Sequence, residues 1–264
     1  MGNERKELLI IIPAYNEVKT IGKLLDELER AKITDWADLL VMNDASNDGT
    51  GKLVRARGYR VVTHIFNLGY GSGLQLGYKY AYRNKYKYVI QMDADGQHDV
   101  SNIEKLYLKL KEVDQNGNSP DIVLGSRFME GSKPYKVGLA KKIAIKQFRF
   151  LIKLFGHIKI ADPTTGLQGL SYRAFYYYSG YDHFDDRYPD ANMLLQMKLL
   201  GYNIAEIPAV MHQRTDGVSM HSGLKPILYM FRMTYSIIAV WVRIRLFHKN
   251  LEGTVHDKTP KIQN

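Results

Sequence analysis

Two carboxylates stand one residue apart directly after an apolar stretch. Residues 88–92 read YVIQM, and residues 93–99 read DADGQHD. Since side chains alternate along an extended strand, Asp93 and Asp95 point to the same side. Two hard oxygen donors at this spacing suit Mg²⁺ or Mn²⁺, whose remaining positions take water and phosphate oxygens. With the carbonyl of Gln97 as a third donor, the segment predicts a site for one of these two ions.

A helix cap, a calcium-binding loop and a phosphatase motif are three other interpretations of this segment. Asp99 could cap a helix starting near Ser101, but capping leaves the two preceding acids unexplained. An EF-hand calcium loop needs glycine at its sixth position, where this sequence has His98. The DxDGT motif of haloacid-dehalogenase-like phosphatases also follows an apolar strand, although Gln97 replaces its threonine and the motif comes fourth along the strands. A phosphatase therefore stays open as an alternative.

Short apolar stretches alternate with segments of helical periodicity over the first half of the chain. We predict strands at 8–12, 39–43, 60–64, 88–92 and 122–125, and helices at 18–32, 48–57, 71–84 and 102–115. Such alternation indicates a doubly wound parallel sheet, whose ligands bind beyond the carboxyl ends of the strands. The polar turns at 13–17, 43–50, 67–73 and 93–99 then meet at one edge. Neither a GxGxxG turn nor a P-loop is present, which disfavours a dinucleotide or P-loop enzyme.

The composition limits the chemistry and the size of the molecule. A chain of 264 residues has room for one large α/β domain with a small appendage. It contains no cysteine, which excludes disulfides, iron–sulfur clusters, thiolate zinc sites and cysteine nucleophiles. Its eight histidines show no HExxH-type spacing, so no zinc is predicted.

The formal net charge of +10 is concentrated in the second half of the chain. Residues 131–161 contain eight basic residues and no acid, and residues 217–251 contain five and no acid, so the remainder carries −3. This distribution predicts an anionic membrane surface, a phosphate-rich ligand or nucleic acid as a partner. No nucleic-acid recognition motif is present, and nucleic acid is not predicted.

Two basic segments have the pattern of helices that lie on a membrane. In 137–155 the cations recur on one stripe at Lys142, Lys146, Arg149 and Lys153, and 226–247 adds aromatic residues. A solvated face over an ordinary core helix remains an equal alternative for the first segment. No secretory signal opens the chain, and the 226–242 stretch is interrupted by Arg232 and shorter than the roughly 20 residues of a span. We predict a cytoplasmic, peripheral protein at the inner face of the cell membrane.

Four motifs in chain order resemble those of family-two inverting glycosyltransferases. They are IPAYNE at 12–17, NDASNDGT at 43–50, NLGYG at 67–71 and DADGQ at 93–97. The resemblance covers about residues 6–220, and it is nearest to the dolichyl-phosphate mannose synthase and bacterial polyprenyl-phosphate glycosyltransferase branch. It implies an α/β architecture of the GT-A nucleotide-diphospho-sugar transferase type, with a Rossmann-like, mostly parallel sheet and C-terminal amphipathic helices.

The resemblance also implies a donor site for a nucleotide diphosphate sugar, with a UDP-sugar favoured. Pro13, Tyr15 and Glu17 would frame the nucleoside, and a loop at 212–221 would close over the diphosphate. The implied donor contacts are Pro13, Ala14, Tyr15, Glu17, Asp44, Gly69, Gly71, Asp93, Ala94, Asp95, Arg214 and Ser219. The implied ligands of Mg²⁺ or Mn²⁺ are Asp93, Asp95, Gln97 and His212.

Acceptor-side residues are implied by DPTTG at 162–166 and YPDANM at 188–193. The implied catalytic residues are Asp190, Asp162 and Arg127, with Arg127 facing a phosphate or the acceptor. Arg127 could instead be a surface arginine, and Asp190 could be a helix N-cap. The family commonly has two acids in this motif, whereas Ala191 and Asn192 follow Asp190 here and leave one carboxylate. Because a phosphate acceptor is already ionised and needs no base, a single carboxylate favours a lipid phosphate over a sugar hydroxyl.

The predicted function is that of a metal-dependent hexosyltransferase. It would move a sugar to polyprenyl phosphate or a lipid-linked glycan in cell-envelope polysaccharide synthesis, with a small membrane protein or a second copy as a possible partner. A phosphatase and a catalytically silent membrane scaffold are the alternatives. The predicted division is a catalytic domain at 1–221, with a nucleotide-binding half at 1–125 and an acceptor half at 126–221, then a membrane- or partner-associating helical segment at 222–251 and a disordered tail at 252–264.

Overall fold

The computed structural model describes residues 6–135, 137–213 and 225–246 and shows a seven-stranded sheet with helices on both faces. The strands are β1 (Leu8–Ala14), β2 (Ala37–Asn43), β3 (Arg60–Thr63), β4 (Tyr88–Gln91), β5 (Ile122–Ser126), β6 (Gln168–Ser171) and β7 (Ile204–Pro208). The helices are α1 (Val18–Arg30), α2 (Ile33–Trp36), α3 (Thr50–Ala56), α4 (Tyr70–Arg83), α5 (Ser101–Lys111), α6 (Leu139–Gly156), α7 (Tyr172–Ser179), α8 (Ala191–Leu199) and α9 (Lys225–Arg245). The predicted tail at 252–264 lies outside the described residues.

The strand order is β3-β2-β1-β4-β6-β5-β7. β6 runs antiparallel to β4 and β5, and all the other neighbouring strands are parallel. The five predicted strands are therefore confirmed, each within two residues at either end. The sequence prediction missed β6 and β7, because QGLS and IAEIP are too short and too polar to show strand periodicity.

Alternating side chains of β1 supply the two hydrophobic layers of the fold. Leu9 and Ile11 pack on the α4 side, together with residues of α6, α7, α8 and α9. Leu8, Ile10 and Ile12 pack on the opposite side, against α1 and α5. Because both faces of the sheet are covered at its centre, β1 is apolar over nearly its whole length, as a central parallel strand requires.

Helices α6, α8 and α9 form one packed layer in the second half of the chain. Phe148 and Ile152 of α6 are buried in it, as are Met233 and Ile237 of α9. Within the described ranges, no helix combines the length and apolar composition needed to cross a membrane. The predicted cationic stripe of α6 is wrong at Arg149, whose side chain turns inward and donates to the carbonyl oxygen of Ala161. The other three cations of the stripe, Lys142, Lys146 and Lys153, are exposed.

Candidate active site

The turns after β1 and β2 are joined by hydrogen bonds at the carboxyl edge of the sheet. The backbone N–H of Asn16 donates to Oγ of Ser46 at 3.0 Å, and the N–H of Asn47 donates to Oδ1 of Asn16 at 3.0 Å. Tyr15 in this turn is half exposed. The backbone N–H of Glu17 donates to Oγ1 of Thr50 at 2.9 Å. Tyr15 and Glu17 therefore stand at a rigid rim, together with Pro13 and the buried Ala14.

Asp44 organises the loop that follows β3. Its carboxylate accepts hydrogen bonds from the backbone N–H groups of Leu68 and Gly69, each at 2.8 Å, and lies 2.7 Å from Nδ1 of His64. The Asp44 side chain is buried, so it supports the 67–69 loop from inside the protein. Its predicted contact with the base or ribose stays a prediction.

Gly71 brings the start of α4 against the loop before α8. A Cβ atom at this position would lie 2.1 Å from the carbonyl oxygen of Asp185, a distance that no side chain tolerates. The N–H of Ser72 donates to the carbonyl oxygen of Asp186 at 3.1 Å. The start of α4, in the predicted donor half, and the 185–186 segment, in the predicted acceptor half, are therefore in direct backbone contact.

Asp93 is held in place by groups from two sides. The hydroxyl of Tyr70 donates to its Oδ1 at 2.9 Å. Its backbone N–H donates to Nδ1 of His98 at 3.2 Å, which leaves the proton of the neutral ring on Nε2. Burial lowers the pKa of His98 to about 4, so the ring is neutral at physiological pH. A Cβ atom at Gly166 would stand 2.6 Å from Oδ2 of Asp93, so only glycine lets the 162–166 loop approach this carboxylate.

Asp95 and Gln97 shape the rest of the 93–99 turn, the predicted metal-binding loop. Oδ1 of Asp95 accepts the N–H of Gln97 at 3.0 Å. The amide nitrogen of Gln97 donates to the hydroxyl of Tyr135 at 2.8 Å, so Oε1 is the amide atom that a cation could bind. The ring of His212 instead lies 2.9 Å from Oδ2 of Asp99, and only its backbone N–H contacts the loop, at the carbonyl oxygen of Gln97. This position gives no support to His212 as a metal ligand.

The donor set at Asp93, Asp95 and Gln97 is chemically suited to a divalent cation. All three supply hard oxygen atoms, the type that Mg²⁺ and Mn²⁺ prefer. Among the residues that the structure describes, no group of three or more His, Cys, Asp or Glu side chains lies close enough to hold an ion. An ion held here would therefore need further oxygens from water or from a diphosphate.

Arg127 and Asp162 form a buried ion pair at the acceptor side. Nε and Nη2 of Arg127 donate to the two carboxylate oxygens at 2.6 and 2.7 Å, and the backbone N–H of Arg127 adds a third bond at 3.0 Å. Although burial opposes the charge, this pairing raises the pKa of Arg127, which stays cationic. The alternative of a surface arginine is wrong. Asp162 is completely buried and bound to Arg127, a geometry that favours a positioning role over that of a base.

Tyr135 links the metal-binding loop to this ion pair. Its hydroxyl accepts from Gln97, and the guanidinium of Arg127 lies 5.6 Å from its ring centroid. The donor side and the acceptor side of the site therefore share one aromatic side chain.

Asp190 stands at the N-cap position of α8 but does not cap the helix with its side chain. Oδ1 of Asn192 takes that role and accepts the N–H groups of Asp190 and Met193 at 3.0 and 2.9 Å. The carboxylate of Asp190 instead accepts the hydroxyl of Tyr229 at 2.5 Å. The alternative of a side-chain N-cap is therefore wrong for Asp190.

Charges from both sides of the site act on Asp190 and Lys141. Burial raises the pKa of Asp190, which Tyr229, Lys141 and Arg127 lower and Asp93 raises. Burial lowers the pKa of Lys141, as does Arg127, whereas the nearby carboxylates raise it. The cations Lys141 and Arg127 and the carboxylates of Asp93, Asp162 and Asp190 thus share one region.

The structure therefore brings most of the predicted site residues to one edge, including Asp93, Asp190, Arg127 and Asp162. Arg214 and Ser219 lie outside the described residues. Sequence reasoning missed the contacts of Tyr70, His98, Lys141, Asn192 and Tyr229. Of these, Tyr70 had a signal in its place between two motif glycines, but Tyr229 is 39 residues from its partner and had none.

Comparison with known proteins decides the family. Residues 9–178 match the family model described as Glycosyl transferase family 2. The chain is a family 2 glycosyltransferase. This glycosyltransferase is 32% identical to an uncharacterized protein of Methanocaldococcus jannaschii over 77% of the chain and 81% of that protein. It is 27% identical to the undecaprenyl-phosphate mannosyltransferase of Micrococcus luteus over 82% of the chain and 88% of that enzyme.

Solved structures confirm the fold of the glycosyltransferase. It matches glucosyl-3-phosphoglycerate synthase from Mycobacterium tuberculosis, a complex with Mn²⁺, UDP-glucose and phosphoglyceric acid, with a TM-score of 0.64 and 20% identity. The match covers 90% of this chain and 79% of that one. The predicted GT-A-type α/β fold and the predicted family are therefore confirmed, whereas the phosphatase and scaffold alternatives gain no support.

Proposed function

We propose that this glycosyltransferase moves a sugar from a UDP-sugar to polyprenyl phosphate at the inner face of the cell membrane, for cell-envelope polysaccharide synthesis. One observation carries the proposal. The half-buried Lys141 and the buried Arg127 place two cations beside Asp93 and Asp190. These cations lie at the carboxyl edge of the sheet, next to the turns where the donor would bind. An anionic acceptor would find its countercharge there. The relatives named for undecaprenyl-phosphate and polyprenol-phosphate transfer support the same acceptor class.

On the donor side, Pro13, Ala14, Tyr15, Glu17 and Asp44 would hold the nucleoside at the rim formed by the first two turns. Gly69 and Gly71 would let the backbone approach the donor. Arg214 and Ser219 are proposed as further donor contacts.

Asp93, Asp95 and Gln97 would hold Mg²⁺ or Mn²⁺ against the diphosphate, and Ala94 between them would be a further contact of the donor. The ion would supply positive charge to the leaving group. Tyr70 and His98 fix the Asp93 carboxylate and its backbone, so the metal-binding loop is ordered before a ligand arrives.

Breaking the sugar–diphosphate bond develops negative charge on the leaving diphosphate, which a divalent ion on the donor side would stabilise more in the transition state than in the ground state. On the acceptor side, the protein's own cations would bind and orient an anionic acceptor. Asp162 holds Arg127 in orientation through a bidentate contact, and Lys141 reaches the same region from α6. A phosphate acceptor held by these cations is already a nucleophile.

A sugar hydroxyl on a lipid-linked glycan is the second candidate acceptor. It is favoured by the raised pKa of Asp190, because a carboxylate with a raised pKa is a better base for a hydroxyl proton. The two acceptors differ in what Asp190 must do. Transfer to a phosphate should tolerate Asp190→Asn, whereas transfer to a hydroxyl should not.

The proposed membrane contact rests on the outer faces of α6 and α9. Large apolar side chains are exposed there beside the exposed lysines of α6: Leu139, Ile143, Phe150 and Leu154 on α6, and Leu228, Phe231, Tyr235 and Ile238 on α9. A mixed apolar and cationic surface is suited to an anionic bilayer. We accordingly assign the described part of the 222–251 segment to membrane association, next to the catalytic domain at 1–221. A small membrane protein or a second copy would be the alternative partner of this surface.

The test is transfer of labelled sugar from a panel of UDP-sugars to a short polyprenyl phosphate, with Mn²⁺, with Mg²⁺ and with EDTA. We expect metal-dependent product from one donor and loss of turnover in Asp95→Asn. Lys141→Ala should raise KM for the polyprenyl phosphate, whereas Lys23→Ala, at an exposed lysine of α1, should not. Equal KM values in the two lysine variants would contradict the acceptor assignment. Product that forms undiminished in EDTA would contradict the metal assignment.

A further inference from the structure

Helix α9 contributes one side chain to the reaction centre. The hydroxyl of Tyr229 donates to Oδ2 of Asp190 at 2.5 Å. Burial and the negative charge of Asp190 raise the pKa of the Tyr229 phenol, so it is a hydrogen-bond donor at neutral pH. A hydrogen bond to a carboxylate is charge-assisted and stronger than one between neutral groups.

Aromatic packing from two other elements fixes the ring of Tyr229. Phe148 of α6 meets it edge to face, with centroids 6.0 Å apart, and Tyr188 does so at 5.5 Å. Arg232 of α9 lies over the ring of Tyr188 at 5.3 Å. The phenol is therefore held in one orientation from both sides.

The same helix also holds the residue that caps α8. The amide nitrogen of Asn192 donates to Oγ of Ser236 on α9 at 2.9 Å and to Oδ2 of Asp185 at 2.8 Å. Because Asn192 provides the cap, the Asp190 carboxylate is not drawn to the start of α8 and is turned to Tyr229 instead. Two polar contacts from α9 thus determine how the acceptor edge of the site is arranged.

We infer that Tyr229 is a positioning residue of the transfer reaction, which fixes the Asp190 carboxylate and makes α9 a part of the acceptor site. The inference rests on the proposed function with its second candidate acceptor, a sugar hydroxyl, because it assumes that Asp190 acts as the base in the transfer. It gives α9 two roles on opposite faces. The outward face carries exposed Phe231 and Tyr235, and the inward face holds Asp190.

Several charged or titratable groups face Asp190 and act on its protonation. They are Tyr229 of α9, Lys141 of α6, Arg127 after β5, Asp93 after β4 and Tyr70 of α4. Tyr229, Lys141 and Arg127 favour the carboxylate, and Asp93 opposes it. Removing the Tyr229 hydroxyl removes one favourable contact and leaves the others, so Asp190 should bind its proton at higher pH.

The experiment compares full-length wild type with Tyr229→Phe and with Tyr235→Phe, a matched control on the exposed face of α9. Sugar transfer to a lipid-linked glycan, whose acceptor group is a hydroxyl, is followed across acid and neutral pH. The Asp190 carboxyl is titrated by carbon-13 NMR, its signal being identified from its loss in Asp190→Asn. For Tyr229→Phe we expect kcat/KM to fall about tenfold. We also expect the acid limb of the pH profile and the titration midpoint of Asp190 to move up by about one pH unit. Tyr235→Phe should match the wild type.

An Asp190 titration and a pH profile that Tyr229→Phe leaves unchanged would overturn the inference. So would unchanged kcat/KM in Asp190→Asn, because Tyr229 would then position a group that the reaction does not use. Failure of the proposed function has a different result, namely no transfer by the wild type from any donor. The NMR titration then decides the Tyr229–Asp190 contact alone, supporting it by an upward shift and overturning it by none.

Discussion

Replacing Asp162 with asparagine should destabilise the protein strongly, because it leaves the buried Arg127 without its counter-charge. The carboxylate is completely buried and accepts three hydrogen bonds from Arg127, at 2.6, 2.7 and 3.0 Å. In Asp162→Asn at least one of these donors meets an amide N–H₂ instead of an oxygen. Removing one partner of a buried pair costs about 3–5 kcal/mol. At about 2–4 °C per kcal/mol for a domain of this size, Tm should fall by roughly 6–20 °C.

Thermal unfolding followed by circular dichroism measures this effect, with Asp26→Asn as the matched control. Asp26 pairs with Arg57 on the surface, and its side chain is 47% exposed. Exposed pairs contribute about 0–1 kcal/mol, so the control should shift Tm by less than about 4 °C. The double variant Asp162→Asn with Arg127→Met should recover much of the loss, since it removes the uncompensated charge. If the two single variants melted alike, the reasoning about the buried pair would be refuted.

Three further changes test other parts of the site. Gly166→Ala places a Cβ atom against Oδ2 of Asp93 and should weaken the metal-dependent Tm shift that UDP causes, while Tm without ligand changes little. Asn192→Asp sets a carboxylate against Oδ2 of Asp185 and loses a donor, so Tm should fall at neutral pH and part of the loss should be recovered in acid. Phe231→Glu should reduce flotation of the protein with anionic vesicles without changing UDP binding.

Each of these three changes has its own control and contrary outcome. Gly138→Ala, where an added Cβ atom meets no other atom within 4 Å, should leave the UDP shift intact, and an undiminished shift in Gly166→Ala would count against the close approach. An Asn192→Asp variant as stable as the wild type would show that the amide is not needed as a donor. Leu108→Glu changes an exposed leucine on α5, and equal flotation of both glutamate variants would contradict the membrane face.

The sequence predicted the donor edge well because its residues follow strands directly. Asp93 and Asp95 come at the end of an apolar strand, so their place on the sheet edge follows from the parallel arrangement alone. The strand pairing between β1 and its neighbours then brings the turn at Tyr15 beside them. In this part of the chain, the local pattern of apolar and polar residues is therefore nearly enough to place the residues in the fold.

The acceptor side could not be predicted in the same way, because its contacts join distant parts of the chain. Nothing near Asp190 in sequence indicates that Tyr229 reaches it, or that Asn192 rather than Asp190 provides the cap of α8. The position of Lys141 was visible only as part of a cationic stretch. Arg149 belonged to the same stretch and turned out to face inward, because the carbonyl oxygen of Ala161 gives it a partner. Charge periodicity does not show which basic side chain will hydrogen-bond to a group in the protein interior.

The antiparallel strand β6 has a consequence for how the molecule can be made and divided. It lies between β4 and β5, although it comes from the 168–171 stretch, far beyond both in the chain. During synthesis on the ribosome, the edges of β4 and β5 therefore stay unpaired until that stretch has emerged. In a fragment ending at residue 125, β4 would have an open edge and β5 would have no neighbouring strand, and open strand edges are the usual template for aggregation. The strands that carry the two halves of the site are paired within one sheet through β6. An experiment that recombines halves from different enzymes of this architecture would therefore have to exchange β6 together with its neighbours.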